Sequence, residues 1–175
     1  GLRVVLHHLD PGPIGLGCVI GLKRAGVQDV VVLDRAAQRR ETARRLGADL
    51  ACTEMDEAFW QTLAERHGSA PFFGMALAAT DLFIDCAGAP GLVEAVVQRA
   101  APAARLMLVA VHQQAAALDL TLVMAKQLHL QGVLSYGDSF PEATRLSFQA
   151  TTSSGVMRAA SSWPTCFTKA PTTLT

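Results

Sequence analysis

The sequence predicts an α/β fold built on a doubly wound, parallel six-stranded sheet, and three observations carry that prediction. Short apolar runs of strand length alternate with longer segments of helical spacing all the way from Arg3 to Gln149. Turns containing Gly, Pro or Asp separate the two kinds of segment. Several of the runs, such as Val30 to Leu33 and Ala104 to Val111, are almost continuously apolar rather than alternating, as happens when helices cover both faces of a sheet. Right-handed crossovers between parallel strands then give the order 3-2-1-4-5-6, with helices on both faces.

The first unit is the most informative, RVVLHHLDPGPIGLGCVIGLKRAGVQDVVVLD from Arg3 to Asp34. Arg3 to Leu9 is a strand, and Asp10-Pro11-Gly12-Pro13-Ile14-Gly15 is the turn after it. Leu16, Val19, Ile20 and Leu22 recur at helical spacing until Gly26 stops the helix. Val30 to Leu33 is the second strand, closed by Asp34, 19 residues past Gly15. Strand, glycine turn, helix, strand and acidic residue is the order of a dinucleotide-binding βαβ unit. A pyrophosphate fits the free N–H groups at a helix N-terminus. Gly12 lets the backbone approach the phosphates, Gly15 lets the helix close on the strand, and Pro13 suits a first turn that needs no N–H. Asp34 can accept both hydroxyls of an adenosine ribose and would repel a 2′-phosphate, which favours NAD over NADP. Asp10 stands where the fingerprint has its first glycine; aspartate tolerates a left-handed backbone, but its charge opposes a nearby pyrophosphate.

The remaining elements follow in order. Ala36 to Leu46 is a charged helix stopped by Gly47, with Arg39, Arg40, Arg44 and Arg45 on a solvated face. Asp49 to Thr53 is a short third strand, and Glu54 to His67 a helix whose Phe59, Trp60 and Leu63 face the core. Gly68 to Thr80 is expected to be a long loop, with Phe72, Phe73 and Met75 covering an apolar surface or meeting another domain. Asp81 to Cys86 is the fourth strand, Ala87 to Gly91 a turn, and Leu92 to Ala101 a helix. Ala104 to Val111 is the fifth strand, Leu118 to Gln127 a helix, His129 to Tyr136 the sixth strand and Phe140 to Gln149 a closing helix. These elements define a dinucleotide-binding domain over residues 1–150, followed by an irregular Ser/Thr/Pro-rich tail over 151–175.

At these residues a resemblance enters. Pro11-Gly12-Pro13-Ile14-Gly15-Leu16-Gly17, Val30 to Arg35 and Arg44 to Asp49 resemble the cofactor (Rossmann) domain of the medium-chain, zinc-type alcohol and polyol dehydrogenases. Phe83-Ile84-Asp85-Cys86-Ala87-Gly88 resembles its fourth strand, and Ala125 to Leu128 and Phe140 to Ala143 its last segments. The resemblance spans Leu2 to Ala150. It implies NAD contacts at Gly12, Pro13, Ile14, Gly15, Asp34, Arg35 and Arg39, and at Cys86, Ala87, Gly88, Val109, Ala110 and Val111. Arg39, five residues past Asp34, stands where the family carries a basic residue near the ribose. The function implied is that of an NAD-binding domain of an oxidoreductase that moves a hydride between an alcohol or polyol and nicotinamide, inactive as this fragment. The alternatives are a non-catalytic dinucleotide-binding module or a degraded domain.

Composition fits this reading. Of 175 residues, 50% are hydrophobic, and 15 basic residues balance 15 acidic ones, so neither nucleic acid nor an anionic membrane is an expected partner. No apolar run reaches the roughly 18 residues that cross a bilayer. No signal peptide is evident, which makes a cytoplasmic location the expectation, and the abrupt start on Gly1-Leu2 is expected of a piece of a longer chain. Cys18, Cys52, Cys86 and Cys166 form no C-x-x-C, so they read as free thiols rather than a zinc site. In the family the catalytic zinc is held by a separate GroES-like domain, and none of the five histidines replaces it: His7 and His8 face opposite sides of a strand, and His67 and His129 lack ligand partners. His112, at the end of the fifth strand, reads as a polar strand-end residue in the position where such sheets bind ligands. The uncharged edge segment Leu130 to Leu134 of the sixth strand is expected to pair two chains into a homodimer.

Overall fold

The computed structural model describes residues 1–7 and 13–134. Eight strands and five helices occur among them: β1 (Arg3–His7), α1 (Pro13–Arg24), β2 (Asp29–Leu33), α2 (Ala37–Arg45), β3 (Leu50–Cys52), α3 (Glu57–His67), β4 (Ser69–Phe72), β5 (Met75–Ala78), β6 (Leu82–Asp85), α4 (Leu92–Arg99), β7 (Arg105–Leu108), α5 (Leu120–Ala125) and β8 (His129–Gly132). Six of the strands form one sheet in the order β3-β2-β1-β6-β7-β8, all neighbours parallel. With the two hairpin strands β4 and β5 set aside, this is the expected 3-2-1-4-5-6. The turn around Asp10 and Gly12, the end of the sixth strand at Tyr136, the closing helix, the boundary at 150 and the tail lie outside the described residues.

The period of two along a strand explains the layers. Val5, Val31, Leu33, Phe83 and Leu106 point to one face and are buried with Phe59, Trp60 and Leu63 of α3 and Val93 and Val96 of α4. Val4, Leu6, Val30, Val32, Leu82 and Ile84 point to the other and are buried with Val19 and Leu22 of α1 and Ala43 of α2. The register matches: Val5 lies opposite both Val31 and Phe83, and Val4 opposite Val30 and Leu82. Each core strand contributes side chains to both layers, which is why its sequence is continuously apolar. Gly26 (φ 79°) and Gly47 (φ 107°) follow α1 and α2 in the left-handed conformation that ends a helix.

The structure corrects the sequence reading in four places. Gly68 to Thr80 is not a long loop: β4 and β5 pair antiparallel, with Phe72 opposite Met75. Phe73 (φ 43°) and Gly74 (φ 81°) form the two-residue link, both left-handed, as a hairpin turn that follows the strand twist requires. Phe72 is buried with Leu77 and Ala101, whereas Phe73 at the tip is 86% exposed. Second, Arg39, Arg40 and Arg44 of α2 are not simply solvated. Arg40 donates to the carbonyls of Asp34 (2.8 Å) and Arg35 (2.7 Å), Arg44 donates to that of Ala51 (3.1 Å), and Arg39 pairs with Asp34. Third, β7 stops at Leu108 and only Leu106 of its side chains is fully buried, so the run up to Val111 is half strand and half loop. Fourth, the helix before the sixth strand is short and capped by Asp119, whose carboxylate accepts the N–H groups of Thr121 and Leu122.

A polar network ties the opposite, N-terminal end of the sheet. Arg3 at the start of β1 forms a paired contact with the Asp81 carboxylate (2.8 and 2.7 Å) and donates to the carbonyl of His67. The buried His67 ring shares a hydrogen with Thr80 Oγ1 at 2.8 Å, and its Nε2 lies 3.6 Å from Asp29, which Arg66 also engages. Burial depresses the His67 pKa; Arg3 and Arg66 add to this, while Asp29 and Asp81 oppose it. The ring therefore stays neutral in the folded chain at a pH where the unfolded chain takes up a proton. Stability should fall as pH drops below about 6.5, the ordinary histidine value, and continue falling to the depressed folded value. His67→Gln should lose that slope. Urea denaturation at about pH 7.5 and about pH 5 measures it, and an equal slope in the variant would assign the pH dependence elsewhere.

Candidate functional site

In an open parallel sheet the strand order reverses once, and the crevice at the carboxyl ends of the strands on either side of that point is where ligands bind. Here the reversal lies between β1 and β6. Three groups of predicted residues come to this end of the sheet. Pro13, Ile14 and Gly15 form the first turn of α1, with Ile14 46% exposed and Gly15 buried. Proline lacks an N–H, which costs nothing in a turn whose N–H groups have no partner within the helix. Gly12, predicted to let a phosphate approach, lies outside the described residues.

Asp34, Arg35 and Arg39 make up the second group, at the end of β2. The Asp34 side chain is fully buried; its Oδ1 accepts the Ala36 N–H at 2.7 Å and its Oδ2 accepts Arg39 Nε at 2.7 Å. A cavity of about 300 Å³ opens beside it, lined by Leu33, Asp34, Arg35, Thr53, Glu54, Met55 and Asp56 on one side and by Ala89, Pro90, Gly91, Leu92 and Ala95 on the other. The cavity is part apolar and part acidic. A ribose reaching Asp34 would share the carboxylate with the Arg39 guanidinium.

Beyond the switch point lie Cys86, Ala87, Gly88, Val109, Ala110 and Val111. They are organised by Asp85, the last residue of β6, whose buried carboxylate accepts the N–H groups of Ala87 (2.8 Å) and Gly88 (2.9 Å). Its carbonyl accepts those of Val109 (2.9 Å) and Ala110 (3.0 Å), so one residue sets the two adjacent loops. Gly88 has φ 64°, and a Cβ there would sit 2.8 Å from the Val111 carbonyl oxygen, so both its conformation and its neighbour demand glycine. Val111 is 79% exposed at the mouth of the crevice. His112, read from sequence as a polar strand-end residue, brings Nε2 to 2.8 Å from Asp85 Oδ2. Neither atom makes an aligned hydrogen bond, so the contact is one of proximity rather than a directed N–H···O.

Sequence reasoning placed the three groups at one end of the sheet but did not single out Asp85 or the cavity-lining Thr53, Met55 and Pro90. The signal for Asp85 was available: a lone acidic residue that ends an apolar strand and precedes Cys-Ala-Gly has backbone N–H groups within reach. No group of three or more His, Cys, Asp or Glu that could hold a metal ion occurs among the described residues, so this part of the chain does not fit zinc and no step through a metal follows from it. No helix among the described residues is long and apolar enough to cross a membrane.

Comparison with known proteins agrees with this fold. A family profile described as zinc-binding dehydrogenase matches residues 13–149. Among characterised proteins the chain is 24% identical over 135 residues to (R,R)-butanediol dehydrogenase of Bacillus subtilis and 26% identical over 138 residues to sorbitol dehydrogenase of Gallus gallus; each match covers 77% of this chain and 36% of the relative. The chain thus spans about a third of the length of these relatives. Among solved structures, an alcohol dehydrogenase from E. coli CFT073 complexed with NADH superimposes with a TM-score of 0.67 at 27% identity, covering 85% of this chain and 41% of that one. The 2R,3R-butanediol dehydrogenase of Bacillus subtilis superimposes equally well, TM-score 0.67 over 87% of this chain and 41% of its own, at 23% identity, a likeness of fold. The shared sheet order, the strand-end carboxylates and a family match over most of the length lead to one conclusion: the chain belongs to the zinc-binding dehydrogenase family.

Proposed function

We propose that this chain is the NAD-binding part of a cytoplasmic oxidoreductase that moves a hydride between an alcohol or polyol and nicotinamide. The observation that carries the reading is Asp34, a buried carboxylate at the end of β2 that lines a cavity of about 300 Å³. In this reading the first turn of α1 offers N–H groups to the pyrophosphate, Asp34 with Arg39 holds the ribose, and the loops set by Asp85 line the nicotinamide end. The E. coli relative complexed with NADH supports the choice of cofactor class. The chain's own share of the reaction is to bind and orient the dinucleotide. The zinc and the alcohol pocket belong, by family resemblance, to a domain outside this chain.

Asp34 makes the reading testable. A carboxylate that already neutralises Arg39 leaves little positive field for a 2′-phosphate. Calorimetric titration should show NAD bound about tenfold or more tighter than NADP, a difference of about 1.4 kcal/mol or more. Asp34→Ala should weaken NAD and narrow that gap, because it removes the acceptor and the negative charge that repels a 2′-phosphate. Equal affinity of the unmutated chain for both cofactors would sink the assignment.

A homodimer through β8 belongs to the same proposal. Among the described residues β8 is the terminal strand of the sheet order, and Leu130 to Leu134 carries no charge. The N–H groups of His129 and Val133 donate inward, to Ala104 and Leu108 of the β7 side, so those of Leu130 and Gly132 face the edge. A proline at Val133 would not test the edge, since the Val133 N–H already serves β7. Gly132→Pro removes an outward donor instead. Light scattering should report a dimer for the unmutated chain at micromolar concentration and a monomer for Gly132→Pro; a monomeric parent would remove the dimer from the proposal.

A further inference from the structure

Cys18 lies in the second turn of α1 and Cys86 directly after β6, 68 residues apart in sequence, yet their sulfurs approach to 3.9 Å. We infer that these two cysteines are a site of reversible oxidation, closing to an intramolecular disulfide when the chain meets a hydroperoxide. The inference stands on the thiol pair and does not rest on the cofactor reading. A disulfide needs an S–S separation of about 2.05 Å, so the sulfurs have to close by roughly 2 Å, within the reach of side-chain rotation and a small shift of α1. Both residues are partly exposed, which lets a small oxidant in.

The surroundings assign an order to the two thiols. Either sulfur can donate across this contact; with the Cys86 S–H as donor, the Cys18 thiol is held below its ordinary value against the opposing effect of burial. The same hydrogen bond, burial and the neighbouring Asp85 carboxylate push Cys86 far up. Cys52, at the end of β3, is raised by burial and by Asp56 and is the weaker nucleophile. The Cys18 thiolate therefore attacks the hydroperoxide: an S–O bond forms, the O–O bond breaks, and Cys18 becomes a sulfenic acid while water or an alcohol leaves. The Cys86 sulfur then attacks that sulfur, the S–O bond breaks, and the Cys86 proton leaves with the hydroxide as water. Two thiols and one hydroperoxide give one disulfide, one water and one further water or alcohol. A dithiol reductant returns both thiols. The bond ties α1 to the end of β6, the two elements on either side of the crevice.

Peptide mapping of the intact 175-residue chain under non-reducing conditions, after mild treatment with hydrogen peroxide in native buffer, tests this. The expected product is a peptide pair joining Cys18 to Cys86, with loss of two of the four thiols and full recovery in dithiothreitol. In Cys86→Ser, a sulfenic-acid trap should label Cys18; in Cys18→Ser, Cys86 should stay reduced at the same peroxide dose. Loss of thiols without the 18–86 peptide would overturn the inference, as would a chain whose Cys18 stays reduced. The unmutated chain decides the matter alone should either variant fold poorly.

Discussion

A parallel sheet has to be covered on both faces, and the rest of this structure follows from that constraint. Each crossover must return a strand to the same end of the sheet, so every loop at the carboxyl ends of the strands lies on one rim. Val5 buried with α3 and α4, and Val4 buried with α1 and α2, are the same strand serving two layers. Because the core uses both faces, a binding site is left only the rim. The crevice between β1 and β6 is a geometric by-product of strand order before it is a chemical feature.

Two carboxylates organise the rim by the same device. Asp34 and Asp85 each end a core strand, and each gives Oδ1 to the N–H two residues on, Ala36 and Ala87. Each leaves its second oxygen against a cationic or titratable side chain, Arg39 in one case and His112 in the other. A buried carboxylate alone would be costly, and these partners offset the cost. The arrangement ties the loop backbone to its strand through the protein's own hydrogen bonds. Gly88 completes the second wall, since its left-handed backbone lies against the Val111 carbonyl, where no side chain fits.

Much of this was legible in the sequence because it depends on period and punctuation. Val30 to Leu33 followed by Asp34, or Gly26 and Gly47 after helical runs, are local signals with one physical meaning. What was not legible depends on partners far along the chain. The hairpin was hidden because Gly68, Ser69, Pro71 and Gly74 are all loop formers; only the pairing of Phe72 with Met75 and the burial of Phe72 on Ala101 make it a ribbon. The arginines of α2 looked solvated because the carbonyls they reach, those of Asp34, Arg35 and Ala51, carry no mark in a sequence. His112 gave no hint of Asp85, 27 residues earlier, and Cys18 none of Cys86.

The central claim is that the rim set by Asp34 and Asp85 is the dinucleotide site. Amide chemical-shift mapping of the isotope-labelled chain during titration with NAD tests it most directly. The account predicts shifts concentrated at Ile14, Gly15, Ala36, Ala87 and Gly88, with the Arg3–His67–Asp81 network at the opposite end of the sheet unmoved. Shifts centred on that network or on the β4–β5 hairpin, with the strand-end amides silent, would contradict it.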